Sequence, residues 1–97
     1  MNPSGRSCRL DGRSRTRRAA LARLARELGF PAHFGHNLDA LYDVLTGDLP
    51  GPIEIVWAGA DRTELASDPE LGPLLRTLEA AARERPDLRL VLVGRGR

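Results

Sequence analysis

The sequence predicts one small α/β domain: a short, mainly parallel sheet of three strands with helices packed against it. Three observations carry that prediction. At 97 residues the chain is long enough for a single core and too short for two. Residues 53–57 (Ile-Glu-Ile-Val-Trp) and 88–93 (Leu-Arg-Leu-Val-Leu-Val) are rich in β-branched and aliphatic side chains, the composition of strands. The stretches between candidate strands repeat apolar residues at helical spacing, and strands joined through helices are crossover-connected and so parallel.

The elements follow in order. Residues 7–10 read as a short edge strand closed by the turn pair Asp11-Gly12. Thr16 is suited to cap a first helix whose apolar positions are Ala20, Leu21, Leu24, Ala25 and Leu28, with Gly29 as its left-handed stop. Phe30-Pro31 ends that helix, Gly35 permits a bend, and Asn37 caps a second helix over Leu38–Thr46 with Gly47 just beyond it. Pro50-Gly51-Pro52 forces a turn into the strand at 53–57. A short helix is expected around Arg62 to Ala66. Asp68-Pro69 resembles a cap and first helical residue, but Pro73 is expected to delay the main third helix until about its own position. The core stripe of that helix is Leu71, Leu74, Leu75, Leu78, Ala81 and Ala82, and Pro86-Asp87 breaks it before the last strand. The whole chain reads as one domain, with residues 1–6 and 94–97 expected to be flexible tails.

Composition narrows the class of function. No apolar run approaches the roughly 18 residues a membrane helix needs, and the first ten residues lack the apolar core of a secretory signal. The single cysteine, Cys8, has no partner for an internal disulfide, so a reducing cytoplasm is the expected setting. The net charge of +2 conceals a division. Eight arginines face two acids over residues 1–29, whereas four arginines face eleven acids over residues 30–88. The arginines Arg17, Arg18, Arg23 and Arg26 on the first helix leave RNA binding as the second candidate function, but an acidic middle with few aromatics is not the pattern of an RNA-binding surface.

The second helix has two distinct faces. At about 100° per residue, Leu38, Leu41 and Leu45 share the core side with Val44 at its margin, while Asp39, Tyr42, Asp43 and Thr46 share another. Asp39 in the first turn is favoured by the helix dipole. Asp43 in the last turn is disfavoured by it and is repelled by Asp39 one turn away, so helix stability alone does not select it. Such a carboxylate is best understood as meeting a cation on a partner.

Two other chemistries fit the same residues less well. His33, His36, Asp39 and Asp43 have a spacing that resembles a metal site, but an Asn37 cap puts both histidines before the helix, and no further ligand is evident. Neither a metal nor another cofactor is expected. A nuclease activity of its own would need a phosphate-binding cation in this segment or a glycine-rich phosphate loop, and the segment has neither.

The stretch from Phe30 to Gly47, Phe-Pro-Ala-His-Phe-Gly-His-Asn-Leu-Asp-Ala-Leu-Tyr-Asp-Val-Leu-Thr-Gly, closely resembles the signature of the barstar family, intracellular inhibitors of barnase-type ribonucleases. The likeness extends through the Trp57 strand and the final strand after Asp87, and is weakest at the N-terminal strand and over residues 58–72. It implies a three-stranded parallel sheet flanked by helices, and binding rather than catalysis. It also implies a cytoplasmic inhibitor of the antitoxin or immunity kind, in a 1:1 complex with a small basic ribonuclease, with no direct contact to nucleic acid or membrane. By that resemblance the contact surface is the loop His33, Phe34 and Gly35 with Asn37, Asp39, Tyr42, Asp43, Thr46 and Gly47. Asp43 would sit where the RNA phosphate binds, its paired oxygens suited to an arginine fork. Glu84 falls at an acidic rim position.

The chain departs from the family pattern at the rim. His33 replaces a tyrosine that packs over the enzyme's catalytic histidine, Tyr42 replaces a tryptophan, and Asp48 replaces another aromatic contact. Ala80 stands where an interface acid is expected, with Glu79 beside it but rotated by about 100° of helix. A kept centre and an altered rim imply a related nuclease rather than barnase itself.

Overall fold

A computed structural model of the chain describes residues 5–47 and 49–94. Asp48 and the outer tail positions, 1–4 and 95–97, lie outside the described residues. The elements are β1 (Arg6–Leu10), α1 (Arg17–Leu28), α2 (Leu38–Thr46), β2 (Ile53–Ala58), α3 (Arg62–Ser67), α4 (Leu71–Glu84) and β3 (Leu88–Val93). The strands form one parallel sheet in the order β1-β2-β3, with Arg6, Ile53 and Leu88 opposite one another and Leu10, Trp57 and Leu92 at the other end.

Because side chains alternate along a strand, the register sorts them cleanly. Cys8, Leu10, Ile53, Ile55, Trp57 and Leu88 are buried on the helix side, and Leu90 and Leu92 pack against them. Ser7, Glu54 and Arg89 share a register row on the other face and are exposed. Against the buried face lie Ala20, Leu21, Leu24 and Leu28 of α1, Leu41 and Leu45 of α2, and Leu71, Leu74, Leu75, Leu78 and Ala81 of α4. Ala25 and Ala82, expected in the core stripes, sit at its margin.

The caps explain where the helices begin and end. Thr16 Oγ1 accepts from Ala19 N at 3.1 Å, and Gly29 closes α1 at φ 72°. In α3 the Asp61 side chain accepts from Glu64 N while Glu64 accepts from Asp61 N, a reciprocal pair that fixes a helix of only six residues.

Two expectations are corrected. Helix α4 starts at Leu71, ahead of Pro73, because Pro73 is its third residue, where a missing N–H removes no intrahelical bond. Asp68 starts it from outside: its Oδ1 accepts from Glu70 N at 2.7 Å and Leu71 N at 3.0 Å. Gly72 is then needed because a Cβ there would lie 2.7 Å from Ala66 O. The N-terminal tail is also shorter than expected. Arg6 opens β1, its backbone N donating to Pro52 O at 2.8 Å, Nε to Pro50 O and Nη1 to Leu28 O, both at 2.9 Å.

Candidate protein-binding site

The loop between α1 and α2 is shaped by its aromatic residues. Phe34 is buried, its ring edge-on to Phe30 at 4.9 Å and tilted against His36 at 4.9 Å. The Phe34 ring anchors the loop in the core, and its neighbours His33 and Gly35 are exposed. His36 takes the left-handed conformation at φ 54°, with Nδ1 3.1 Å from Phe34 O. That backbone region costs a non-glycine residue about 1–3 kcal/mol, and the ring contact and hydrogen bond hold it there. The alternating residue types gave no sign of this.

Asn37 then starts α2. Its Oδ1 accepts from Ala40 N at 2.8 Å, and Nδ2 donates to Gly35 O at 3.4 Å, so one side chain ties the loop to the helix. Gly35 leaves room for it, since a Cβ at that position would come within 3.0 Å of Asn37 Nδ2. At the far end Gly47 adopts φ −100° and ψ −116°, not the left-handed stop a glycine there suggests. Its role is close approach: a Cβ on Gly47 would lie 2.6 Å from the backbone oxygen of Asp43.

Between these ends α2 shows the two faces the spacing predicts. Leu41 and Leu45 are buried, Leu38 and Val44 are half-buried, and Asp39 and Asp43 are exposed. Tyr42 and Thr46 are half-buried beside them, with Thr46 Oγ1 donating to Tyr42 O at 2.7 Å. His33, Asp43 and Gly47 line one open groove of about 440 Å³ with Pro31, Val44, Leu49 and Pro50. Its apolar walls come partly from the approach to β2, which the spacing along α2 could not reveal. Glu84 is exposed at the end of α4, the helix packed against α2, and does not line that groove.

The electrostatics separate these carboxylates from the rest. Asp11, Asp61, Glu64 and Asp68 accept backbone N–H groups at turns and helix starts. Glu70 accepts from Arg17 N, and Glu27 from Arg9 N while pairing with Arg23. Glu79 takes both Nε and Nη2 of Arg62, at 2.7 and 2.9 Å, and that guanidinium holds its carboxyl below the usual range. Asp87 is held low by Arg85 in the same way. Among the described residues, the carboxylates of Asp39, Asp43, Glu54 and Glu84 have neither a hydrogen bond nor an ion pair. Three of the four belong to the expected contact surface, and the fourth lies on the open face of the sheet.

No group of three or more His, Cys, Asp or Glu among the described residues could hold a metal ion. The arginines of α1 are partly occupied: Arg17 Nε donates to Glu70 O at 3.1 Å, and Arg23 lies 3.2 Å from Glu27. No helix among the described residues is long and apolar enough to cross a membrane.

The fold is a parallel α/β domain in which Phe34 anchors the loop before α2, and α2 exposes two carboxylates that have no partner among the described residues. The family model described as Barstar (barnase inhibitor) matches residues 6–93, from the first residue of β1 to the last of β3. The chain belongs to the barstar family, whose members are inhibitors and not enzymes.

Proposed function

We propose that this protein inhibits a small basic ribonuclease of the barnase type in a 1:1 complex. It does so by laying the loop at 33–35 and the outer face of α2 over the enzyme's active site. The observation that carries this reading is that Asp39 and Asp43, one turn apart on the exposed face of α2, both lack partners among the described residues. Among the described residues most carboxylates are engaged, and these two are not.

The chemistry follows from what a ribonuclease site must contain. It binds a phosphodiester with cationic side chains, and a carboxylate offers an arginine fork the same pair of anionic oxygens. Asp43 lines the groove beside His33 and is the group placed on those cations; Asp39, one turn earlier, meets further positive charge at its edge. The helix is already built before binding, so little ordering is required of it on association, and a preorganised surface binds more tightly for that reason. The groove walls Pro31, Val44 and Leu49 supply apolar surface around the charge, which excludes water and strengthens the ion pair. Unpaired acids on the approach surface also accelerate encounter with a basic partner. Within this reading Gly35, Asn37, Tyr42, Thr46 and Gly47 hold or border the contact, and Glu84 lies at its rim.

Chemical-shift mapping on the labelled protein tests this surface. Addition of a barnase-type ribonuclease should shift amides at 33–47 and near Glu84 and leave Arg18 and Arg26 of α1 unchanged. Addition of RNA alone should shift neither set. Shifts centred on α1, with either partner, would replace this reading with an RNA-binding or basic-face function.

A further inference from the structure

The candidate contact helix contains no cation in its own last turn. Its final carbonyls are orphan acceptors, and the negative end of the helix dipole lies there beside Asp43. The compensating charge comes from forty residues away. Arg85, in the link between α4 and β3, donates Nη1 to Leu45 O at 2.9 Å. Its side chain is 15% exposed. The same guanidinium is held from behind by Asp87, through Nε to Oδ1 at 2.6 Å and Nη2 to Oδ2 at 3.4 Å.

The hold is continuous with the sheet. Asp87 O accepts from Ile53 N at 2.9 Å, so the residue that orients Arg85 is itself fixed to the start of β2. Gly51 leaves the space: a Cβ there would strike Asp87 Oδ2 and come within 2.7 Å of Arg85 Nη2. The arrangement parallels the end of α1, where Arg6 donates to Leu28 O from β1. At α2, however, the anchored turn is the one that carries the candidate contact residues.

We propose that Arg85 is a positioning residue for the recognition surface: clamped by Asp87 against the sheet, it fixes the last turn of α2 and thereby the placement of Asp43, Thr46 and Gly47. Its consequence for binding rests on the reading above that this face meets a nuclease. A guanidinium is required because one planar group must serve a carboxylate and a carbonyl at once.

The test uses the whole protein as wild type and as Arg85→Met, Arg85→Lys and Gly51→Ala, each with and without Asp43→Ala, with barnase and other small microbial ribonucleases as probes. Amide hydrogen exchange reports the turn without any nuclease. Arg85→Met and Gly51→Ala should speed exchange at Leu45 and Thr46 by about tenfold, the equivalent of one charge-assisted hydrogen bond, while Leu24 of α1 is unaffected. Arg85→Lys should recover part of the protection. With an inhibited nuclease, Arg85→Met should raise Kd about tenfold, and that penalty should shrink to less than about twofold once Asp43 is already alanine. Exchange that is unchanged, or that rises equally in α1 and α2, overturns the proposal. So does a Kd penalty that survives intact in the Asp43→Ala background. If the wild type inhibits no nuclease, the plug reading fails separately and exchange alone decides the role of Arg85.

Discussion

Replacing Asp43 with alanine should make the isolated protein more stable. The carboxylate is exposed and, among the described residues, has no partner to lose. Removing it relieves an unfavourable dipole interaction of about 0.3–1 kcal/mol and a one-turn repulsion from Asp39 of about 0.2–0.5 kcal/mol. Alanine also exceeds aspartate in helix propensity by up to about 0.7 kcal/mol. Arg85 already sits at that helix end and reduces the dipole contribution, so a total near 1 kcal/mol is expected. For a domain of this size that is a rise in Tm of about 4–8 °C. Melting curves of the wild type, Asp43→Ala and Asp43→Asn at about 0.05 M and 1 M salt separate the parts, because screening removes the charge terms and leaves propensity. Asparagine should gain at low salt only. A fall in Tm for Asp43→Ala would refute the reasoning, since it would mean that Asp43 supports the fold rather than being kept at its expense.

Three further outcomes follow from the packing and the ion pairs. Gly72→Ala should destabilise the protein by about 1–3 kcal/mol in denaturant titration, against the roughly 1 kcal/mol that propensity alone would gain; a stabilised variant would mean that α3 and α4 have room to separate. Burial pushes the Cys8 thiol up to about 12, so a thiol reagent at pH 8 should label it only through unfolding; rapid labelling of the native protein would contradict its place in the core. Glu79 and Asp87 have carboxyls held low in the folded state, so their contribution is present above the ordinary carboxylate range and is lost as pH falls through their folded values. Glu79→Gln should flatten part of the acid limb of a stability–pH curve, and an unchanged limb would mean that the Arg62 pair adds nothing.

The legible parts of this chain are those set by local chemistry. The bounds of α2 were written in Asn37 and Gly47, those of α1 in Thr16 and Gly29, and β3 in its apolar run ahead of a glycine. The two faces of α2 could be read from spacing because a helix maps sequence order directly onto angle. What escaped depends on contacts between distant segments. Arg6 reads as a tail residue because its partners are Pro50 and Leu28, and the contact of Arg85 with Leu45, forty positions away, has no local signal. The burial of Phe34 had no local signal, because an aromatic in a loop carries no mark of which way it turns. Pro73 sets the expected start of α4 near its own position, although at the third position its missing N–H removes no helical bond. The groove beside Asp43 combines a helix, a loop and the approach to β2, so no single stretch could announce it.

The central claim is that a helix-borne carboxylate occupies the place of an RNA phosphate. Its most direct test is a titration of barnase-type ribonucleases with the purified protein, run beside Asp43→Ala and an Arg17→Ala/Arg18→Ala pair. For the cognate enzyme, activity should fall linearly to zero at one equivalent. Asp43→Ala should weaken binding by about 2 kcal/mol or more, the range general for hot-spot residues. The arginine pair should inhibit like the wild type. Inhibition that survives in Asp43→Ala but is lost in the arginine pair would contradict the account and move the contact to α1.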